Sequence, residues 1–369
     1  MTLVVAIDPN NPRREEIARA AEVIKKGGLV AFPTETVYGL GANFFDKNAI
    51  KKLCEVKQRP QGKPFSAHIA DVADLARLDC DISPLAKAFI ENFWPGPLTL
   101  IFDTKRDGKV GFRFPDHKVA QELIRQSATF IAAPSANLSG GAPPLDAQEV
   151  LRQLKDKIDL ILDAGKTPLG KESTVVDVAV SPYAITREGA ISRQQLAGAE
   201  ERFWKDTVGP AIKGILFVCT GNSCRSVMAE GYLKKRLKEV ERDDIEVSSR
   251  GVRPALLLRP IDQTLEVLQD IGVDASGHRT ARLSVDDIEM ADLILVMEAH
   301  HRDEILRMAP SSKHKVYLLA EFGRWGGSIG DSAVEVEDPI GRPVEKYREV
   351  LGAIRDSVER LVAVVRGGR

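Results

Sequence analysis

The residues from Cys219 to Ser226 bring a thiol, a guanidinium and several small polar groups together in one short segment. The segment reads Cys219, Thr220, Gly221, Asn222, Ser223, Cys224, Arg225 and Ser226. An apolar run at 215–218 precedes it, and apolar residues at helical spacing follow at 226–238, so we expect it to join a strand to a helix. Backbone N–H groups and the positive end of the helix dipole would then surround an oxyanion held in this loop.

Each residue type in this loop has a chemical use. The field at a helix N-terminus favours the thiolate of Cys219, which is a nucleophile near neutral pH. Arg225 can hold two phosphate oxygens with its planar guanidinium, Ser226 can donate to the thiolate, and Gly221 permits unusual backbone angles. The alternative is a buried structural cysteine beside a surface arginine, because Cys-x5-Arg also occurs by chance. The strand-to-helix setting favours a cysteine nucleophile that acts on a phosphate group.

In the first half of the chain, the polar residues that could do chemistry are scattered. They are Thr36, Lys57, Arg59, Lys63, His68, Arg113, Ser135, Asn137, Ser173 and Arg187. Taken singly, such residues are usually solvated helix ends or turn residues. Together they place cations and hydroxyls at strand ends, where an anionic ligand could bind. The P-loop-like spacing at 165–171 is rejected, because Glu172 follows it and 173–178 indicates a strand where a helix is required.

The elements that would position these first-half residues alternate irregularly. Apolar spacing predicts helices at 12–26, 49–56, 84–93, 119–126 and 147–154. Strands are expected at 29–32, 97–102, 129–133, 160–162, 174–178 and 184–186. Because Gly- and Pro-rich joints interrupt the alternation, the pattern favours a mixed α/β sheet over a purely parallel one.

The second half alternates strictly between strand and helix. Strands are expected at 215–218, 245–247, 293–296 and 316–318, and helices at 226–238, 261–271, 300–308 and 344–365. This order predicts an α/β fold with a doubly wound parallel sheet. The polar stretch 192–213, which contains Gly209 and Pro210, separates the two patterns. We therefore expect one domain at 1–200, a linker at 201–213 and a second domain at 214–369.

Composition narrows the classes of function. A chain of 369 residues suits two domains, and a formal net charge of -1 disfavours a strongly basic nucleic-acid binder. Four cysteines without metal-ligand spacing fit a reducing compartment. The N-terminus lacks the basic start and apolar length of a secretory signal, and no apolar stretch approaches the roughly 20 residues of a membrane span. A cytoplasmic protein without membrane contact is expected.

Several segments of the second half resemble the low-molecular-weight protein tyrosine phosphatase family across 214–369. The matching segments are 218–226, 228–231, 249–251 and 278–282, together with Asp338 before Pro339. The resemblance implies that Cys219 attacks phosphorus and forms a phosphocysteine. Asp338 would protonate the leaving group and then deprotonate the hydrolytic water. It also implies a phosphorylated protein as substrate and no cofactor.

The second half departs from this family at positions that bear on its substrate. Val227 stands where the family usually has proline, and Ile340 replaces an aromatic residue that walls the substrate slot. Ser223 replaces a larger apolar residue, and the bacterial arginine phosphatases of this fold carry threonine there. Phosphoarginine is therefore a rival to phosphotyrosine. Arsenate reduction is disfavoured because no cysteine follows Cys224, which could protect Cys219 in a disulfide or simply be packed.

Motifs of the first half closely resemble the YrdC family, over roughly residues 12–200. The matching segments are 33–41, 57–60, 94–99, 111–113, 134–137 and 172–174, with Arg187. Members of this family condense L-threonine, bicarbonate and ATP into threonylcarbamoyl-AMP and pyrophosphate. The product feeds the N6-threonylcarbamoyl modification of adenosine 37 in tRNA, so the tRNA threonylcarbamoyl transferase machinery is the implied downstream partner. Binding of tRNA itself is not indicated by the sequence.

The YrdC resemblance also assigns residues to ligands. ATP, accompanied by Mg2+, would be held by Lys57, Arg59, Lys63, Ser135, Asn137 and Arg187. Threonine would be held by Thr36, His68, Arg113 and Ser173, with Arg113 pairing its carboxylate. No protein side chain is expected to ligate the metal. The chain departs from the family at Glu188 after Arg187 and at 143–145, both near the expected nucleotide.

Three classes of function compete at this point. The first is a bifunctional enzyme with both sites active. The second is one active enzyme whose other half is a regulatory module, and the third is an RNA-binding protein built on a YrdC-like sheet. We favour the first, because each half retains the residues that its chemistry requires.

Overall fold

The computed structural model describes residues 1–59, 64–180, 183–324 and 334–366. Contacts divide the chain into two units, Met1–Leu196 and Ala197–Arg369. Among the described residues, no helix combines the length and apolarity needed to cross a membrane.

The first unit is a sheet covered by helices. Its strands are β1 (Leu3–Ala6), β2 (Val30–Phe32), β3 (Gly39–Asn43), β4 (Ala67–His68), β5 (Leu98–Thr104), β6 (Gly108–Arg113), β7 (Ile131–Ala132), β8 (Leu160–Asp163), β9 (Thr174–Asp177) and β10 (Ala184–Arg187). Its helices are α1 (Arg14–Lys25), α2 (Lys47–Lys57), α3 (Pro84–Phe93), α4 (Lys118–Ser127) and α5 (Ala147–Leu154). The next helix, α6 (Arg193–Arg202), contains the point of division between the units.

The ten strands of the first unit lie in the order β1-β8-β2-β3-β7-β4-β6-β5-β9-β10. Parallel and antiparallel pairs mix along this order, which confirms the mixed α/β sheet. Apolar residues alternate across β2, so Phe32 packs with α1 and α4, whereas Ala31 packs with α2 and α5. Helices therefore bury both faces of the sheet.

Strand β3 was not expected from the sequence, because its glycines carry no strand signal. A Cβ added to Gly41 would lie 2.8 Å from Cγ2 of Ile131 and 2.9 Å from Cε1 of Phe32. The glycine is required because the neighbouring strands approach it so closely. The short strands β1, β4 and β6 were likewise not expected. Of these, β4 and β6 end at His68 and Arg113 and so position two candidate site residues.

The second unit contains four strands and five further helices in its described part. The strands are β11 (Gly214–Cys219), β12 (Glu246–Gly251), β13 (Leu293–Val296) and β14 (Val316–Leu318). The helices are α7 (Arg225–Glu239), α8 (Asp262–Gln269), α9 (Val285–Met290), α10 (Ala299–Met308) and α11 (Val344–Val365). All strand pairs are parallel, in the order β12-β11-β13-β14.

Helices cover both faces of this parallel sheet, which confirms the fold class expected for the second half. Residues of α7, α8 and α11 form one core cluster with the sheet, and residues of α9 and α10 form another. The chain leaves β11 towards β12 on one side, and β13 pairs with β11 on the other side. The carboxyl end of β11 is therefore the switch point of the sheet, where ligands of such folds bind. Cys219 is the last residue of β11.

The segment expected to be a linker, 201–213, is ordered as helix over most of its length. Residues Phe203–Val208 form a π-helix, and Gly209–Ala211 form a 3-10 turn. Trp204 is buried in the core of the second unit, with its ring centroid 5.2 Å from that of Tyr317 and 5.0 Å from that of Phe322. The segment belongs to the second unit because its apolar side chains are part of that core. The many polar residues of the segment hide this role in the sequence.

We expect Trp204→Ala to lower the free energy of unfolding of the second unit by about 3–5 kcal/mol, because it leaves a large cavity in the core. Circular dichroism during urea unfolding would measure the change. Lys205→Ala is the control, because Lys205 is half-buried and only pairs with Glu201 across a partly exposed 2.7 Å contact. Equal urea midpoints for the two variants would show that the segment is a dispensable linker.

Candidate active sites

The thiol of Cys219 lies at the switch point and is almost fully buried. Its Sγ accepts from the backbone N–H of Asn222 at 3.2 Å and lies 3.0 Å from Oγ of Ser226. Both donors stabilise a thiolate, and Ser226 stands in the first turn of α7, whose positive dipole end adds to the effect. The loop therefore has the local arrangement that a cysteine nucleophile needs.

Asn222 holds this loop in shape. Its φ is +54°, a left-handed conformation that asparagine tolerates better than most residues. Its Nδ2 donates to Oγ of Ser226 at 3.1 Å and to Oγ of Ser249 at 2.8 Å, and its Oδ1 accepts from N–H of Ala281 at 2.9 Å. The backbone O of Asn222 also lies 3.0 Å from Nε2 of His278. Segments 249–251 and 278–282 are thus the supports of the loop.

Arg225 closes the loop as a buried cation, with 1% of its surface exposed. Its Nη1 donates to Oε2 of Glu298 at 2.6 Å and to the backbone O of Val336 at 2.8 Å. Its Nη2 donates to Oδ2 of Asp338 at 2.6 Å. The structure therefore brings the candidate general acid to the candidate phosphate-binding arginine, although 113 residues separate them in the sequence.

The second thiol of the loop, Cys224, is unlike Cys219. Burial, with the nearby Cys219 as the next cause, raises the pKa of Cys224 to about 12. The thiol form is uncharged and a weak nucleophile at neutral pH. All four cysteines of the chain are free in the structure.

Two residues of this site were not anticipated from the sequence. Glu298 and His301 follow β13 and reach Arg225 and Thr220 from the start of α10. The signal that could have found them is their place at the carboxyl edge of a parallel sheet, next to the strand that carries Cys219.

In the first unit, most of the candidate residues surround a cavity of about 470 Å³. The candidates that line it are Lys57, Arg59, His68, Arg113, Ser135, Asn137, Ser173 and Arg187. Thr36 does not line the cavity but contacts Arg113. Lys63 lies outside the described residues. The cavity is therefore rich in cations and hydroxyls, as a site for a phosphorylated ligand requires.

Arg113 and His68 lie side by side at the ends of paired strands β6 and β4. Nη2 of Arg113 donates to Oγ1 of Thr36 at 2.8 Å and lies 2.8 Å from Oε1 of Glu35. Burial, followed by the charge of Arg113, lowers the pKa of His68 to about 3, so its imidazole stays neutral at physiological pH. Glu35 is a buried partner that sequence analysis missed, because only the folded chain brings it against Arg113.

Lys57 is the last residue of α2, and its ammonium is buried. Nζ lies 2.5 Å from the backbone O of Ser135, 2.6 Å from the backbone O of Asn137 and 3.4 Å from Oδ1 of Asn137. Burial, with the charge of Arg59 as the next cause, lowers the pKa of Lys57 to about 8. Because an ammonium has three protons, these oxygens account for all of them. Lys57 thus holds the 135–137 turn.

Arg187, at the end of β10, contacts other residues that line the cavity. Its Nε donates to the backbone O of Ser173 at 3.0 Å, and its Nη2 donates to Oγ of Ser173 at 3.1 Å. Its Nη1 forms a 2.8 Å ion pair with Glu172. Oγ of Ser173 lies 2.9 Å from Oγ1 of Thr99, which closes this polar wall. The guanidinium of Arg59 instead lies over the ring of Phe65, 4.8 Å from its centroid.

Comparison with protein families matches each half separately. Residues 22–189 match the Sua5/YciO/YrdC model, described as telomere recombination. Residues 214–368 match the model of low molecular weight phosphotyrosine protein phosphatases.

Individual relatives agree with the first match. The chain is 42% identical over 200 residues to the threonylcarbamoyl-AMP synthase of Bacillus subtilis, covering 52% of this chain and 57% of that protein. It is 35% identical to a putative threonylcarbamoyl-AMP synthase of Mycobacterium tuberculosis, covering 52% of this chain and 91% of that protein. The chain thus spans little more than half the length of the Bacillus protein.

A solved structure of P. abyssi Sua5 in complex with L-threonine is similar to this chain, with a TM-score of 0.52 and 28% identity. The match covers 86% of this chain and 99% of that structure. The chain therefore belongs to the Sua5/YciO/YrdC family, and it joins that domain to one that matches low molecular weight phosphotyrosine protein phosphatases over residues 214–368.

Proposed function

We propose that this chain is a bifunctional enzyme. The first unit synthesises L-threonylcarbamoyl-AMP from L-threonine, bicarbonate and ATP, and the product passes to the machinery that modifies adenosine 37 of tRNA. The second unit removes phosphate from proteins through a phosphocysteine. The four free cysteines agree with a cytoplasmic location. Activity in only one half, with the other as a regulatory or RNA-binding module, is the alternative.

The observation that carries the synthase proposal is the cation-lined cavity with Arg113 and His68 at one end. In the proposed reaction the threonine amine and bicarbonate form a carbamate with loss of water, and the carbamate oxygen then attacks the α-phosphorus of ATP and expels pyrophosphate. Arg113 would form an ion pair with the threonine carboxylate. The imidazole of His68 is neutral and so adds no second positive charge beside Arg113. Ser173, which lines the cavity, would hold threonine directly, and Thr36 would act through its contact with Arg113. The enzyme's task is to position two anions and offset their charge.

The nucleotide is proposed to lie along Lys57, Arg59, Ser135, Asn137 and Arg187. Lys57 acts there by fixing the 135–137 turn and by supplying positive charge. Mg2+ would enter with ATP, and Glu172 is the sole carboxylate among the described residues that line the cavity. A cavity so poor in carboxylates suits a Mg2+ that keeps its phosphate and water ligands.

The observation that carries the phosphatase proposal is the Cys219 thiol, held by two donors at a strand-to-helix turn beside Arg225. Cys219 would attack phosphorus, and the phosphate oxygens would bind Arg225 and the N–H groups of residues 220–224. Asp338 would protonate the leaving group, and afterwards take a proton from the water that cleaves the phosphocysteine. The substrate is proposed to be a protein phosphorylated on tyrosine or arginine. Ile340, which is 54% exposed beside Asp338, offers an aliphatic wall to either.

Mass spectrometry of a reaction containing threonine, bicarbonate and Mg-ATP tests the synthase. We expect threonylcarbamoyl-AMP from the wild-type chain. Arg113→Lys should lower kcat/KM for threonine by about ten- to a hundredfold, because lysine cannot reproduce the paired contact with a carboxylate. Arg106→Lys, on an exposed turn of the same unit, is the control. Absence of product from the wild type would refute the synthase, and an unchanged Arg113→Lys variant would refute the role of Arg113.

The state of Lys57 predicts a pH dependence of ATP binding. Lys57 is protonated below its pKa of about 8 and loses its charge above it. The KM for ATP should therefore rise as the pH increases from 7 to 9, by about tenfold at most. In Lys57→Met this rise should be absent and KM should be high throughout. Lys51→Met, on the exposed side of α2, should behave like wild type; an identical pH profile in Lys57→Met would contradict the prediction.

Hydrolysis of aryl phosphates tests the phosphatase. Cys219→Ser should abolish it and leave threonylcarbamoyl-AMP synthesis intact, whereas Cys80→Ser, in the first unit, should change neither activity. Asp338→Asn should slow cleavage of phenyl phosphate by about 10²–10⁴, and slow p-nitrophenyl phosphate less, because nitrophenolate needs less protonation. Equal losses on both esters would argue against Asp338 as general acid. A comparison of the hydrolysis rates of phosphotyrosine and phosphoarginine peptides would identify the substrate class.

A further inference from the structure

The imidazole of His301 lies under the phosphate-binding loop with none of its surface exposed. Its Nδ1 accepts from the backbone N–H of Glu298 at 3.1 Å. Its Nε2 lies 2.9 Å from Oγ1 of Thr220, the residue that follows the nucleophile Cys219. Both ring nitrogens are therefore committed to protein partners.

These contacts fix the tautomer of His301. A nitrogen that accepts a backbone N–H carries no proton, so in a neutral ring the proton must sit on Nε2. The ring is neutral because burial, followed by the charges of His300 and Arg225, lowers the pKa of His301 to about 3. It follows that Nε2–H donates to Oγ1 of Thr220. Oγ1 of Thr220 is therefore the acceptor of this hydrogen bond.

The same helical turn holds the other end of the loop. Glu298, the residue before α10, accepts from Nη1 of Arg225 at 2.6 Å. The start and end of the loop are thus tied to residues three positions apart. Glu298, His300 and His301 also place one potential metal-ligating atom each within 4.8 Å of one another. A metal would compete with the contacts to Arg225 and Thr220, so this cluster is better explained as a support of the loop.

We propose that His301 is a positioning residue of the phosphatase, which fixes the start of the phosphate-binding loop through Thr220. The proposal rests on the proposed phosphatase function. The loop N–H groups must point at one place to bind an oxyanion, and one of them, that of Asn222, already donates to Sγ of Cys219. Loosening Thr220 would disturb this donor, because only Gly221 separates the two residues. His301 would act on catalysis without touching the substrate.

A double-mutant cycle between His301 and Thr220 tests the proposal. We expect His301→Ala and Thr220→Val each to lower kcat/KM for p-nitrophenyl phosphate by about tenfold, the effect of one lost buried hydrogen bond. The double variant should lose little more than either single variant, because both remove the same contact. His314→Ala, at an exposed histidine that follows α10, is the matched control and should equal wild type.

Conservative variants of His301 test whether its side chain positions Thr220 through a hydrogen bond or only fills space in the core. In His301→Gln the side-chain amide N–H can reach Thr220 in place of Nε2–H, so activity should partly return. In His301→Asn the amide is too short to do so, and activity should stay low. Additive losses in the cycle, or equal activity of the Gln and Asn variants, would overturn the proposal.

The reactivity of Cys219 gives a readout that does not depend on turnover. The rate of alkylation by iodoacetamide would be followed against pH, with Cys219→Ser to subtract the other thiols. His301→Ala and Thr220→Val should shift the profile of Cys219 to higher pH, because the thiolate loses an ordered donor. If the wild type cleaves no phosphate ester, the proposed phosphatase fails, and the alkylation profiles still decide whether His301 orders the loop. Should His301→Ala not fold, the Gln, Asn and Thr220→Val profiles decide it.

Discussion

Buried cations that need oxygen partners organise both sites. A charge removed from water is tolerated only where protein oxygens replace the water, and loops are the segments that can supply carbonyls at the required places. Lys57 donates to the 135–137 turn, and Arg113 contacts Glu35 and Thr36 of one loop. In the second unit, Arg225 holds Glu298 and Asp338. In each site the buried cations thus hold the surrounding loops in place without a bound substrate.

This arrangement has a consequence for the chemistry. The cations already have partners in the free protein, so an arriving phosphate must share them or displace them. In the proposed phosphatase, the partner that a phosphate would share or displace is the carboxylate of Asp338, which pairs with Arg225 at 2.6 Å. A bound phosphate would take over Arg225 and free Asp338 to hold a proton for the leaving group. In the proposed mechanism, Asp338 would thus be the partner of Arg225 in the free protein and the general acid once the phosphate is bound.

The sequence predicts an element well when the element's own residues dictate it. In the second unit three of the four described strands, β11, β13 and β14, consist mainly of apolar residues. The strands at 293–296 and 316–318 and the helix at 344–365 were predicted with the bounds that the structure gives. Strand β3 was missed because glycine carries no strand signal. Gly41 is needed there because the side chains of Ile131 and Phe32 leave no room for a Cβ atom. Trp204 was assigned to a linker because its neighbours in the sequence are polar. Two of its aromatic partners, Tyr317 and Phe322, lie more than 100 residues away.

The same distinction separates the site residues that sequence reasoning reached from those it missed. Residues that would touch a phosphate or a carboxylate are recognisable by their own chemistry as cations, hydroxyls or a thiol, whether they share one loop, as at 219–226, or are scattered, as in the first half. Glu35, Glu298 and His301 support those residues through contacts that exist only after folding. The candidate residues of the proposed synthase lie between 36 and 187, and those of the proposed phosphatase between 219 and 338, so each set falls within one of the two units. If the two proposed activities are independent, a substitution in one unit should leave the proposed activity of the other unit unchanged. A regulatory link between the halves would then be visible as a departure from that independence.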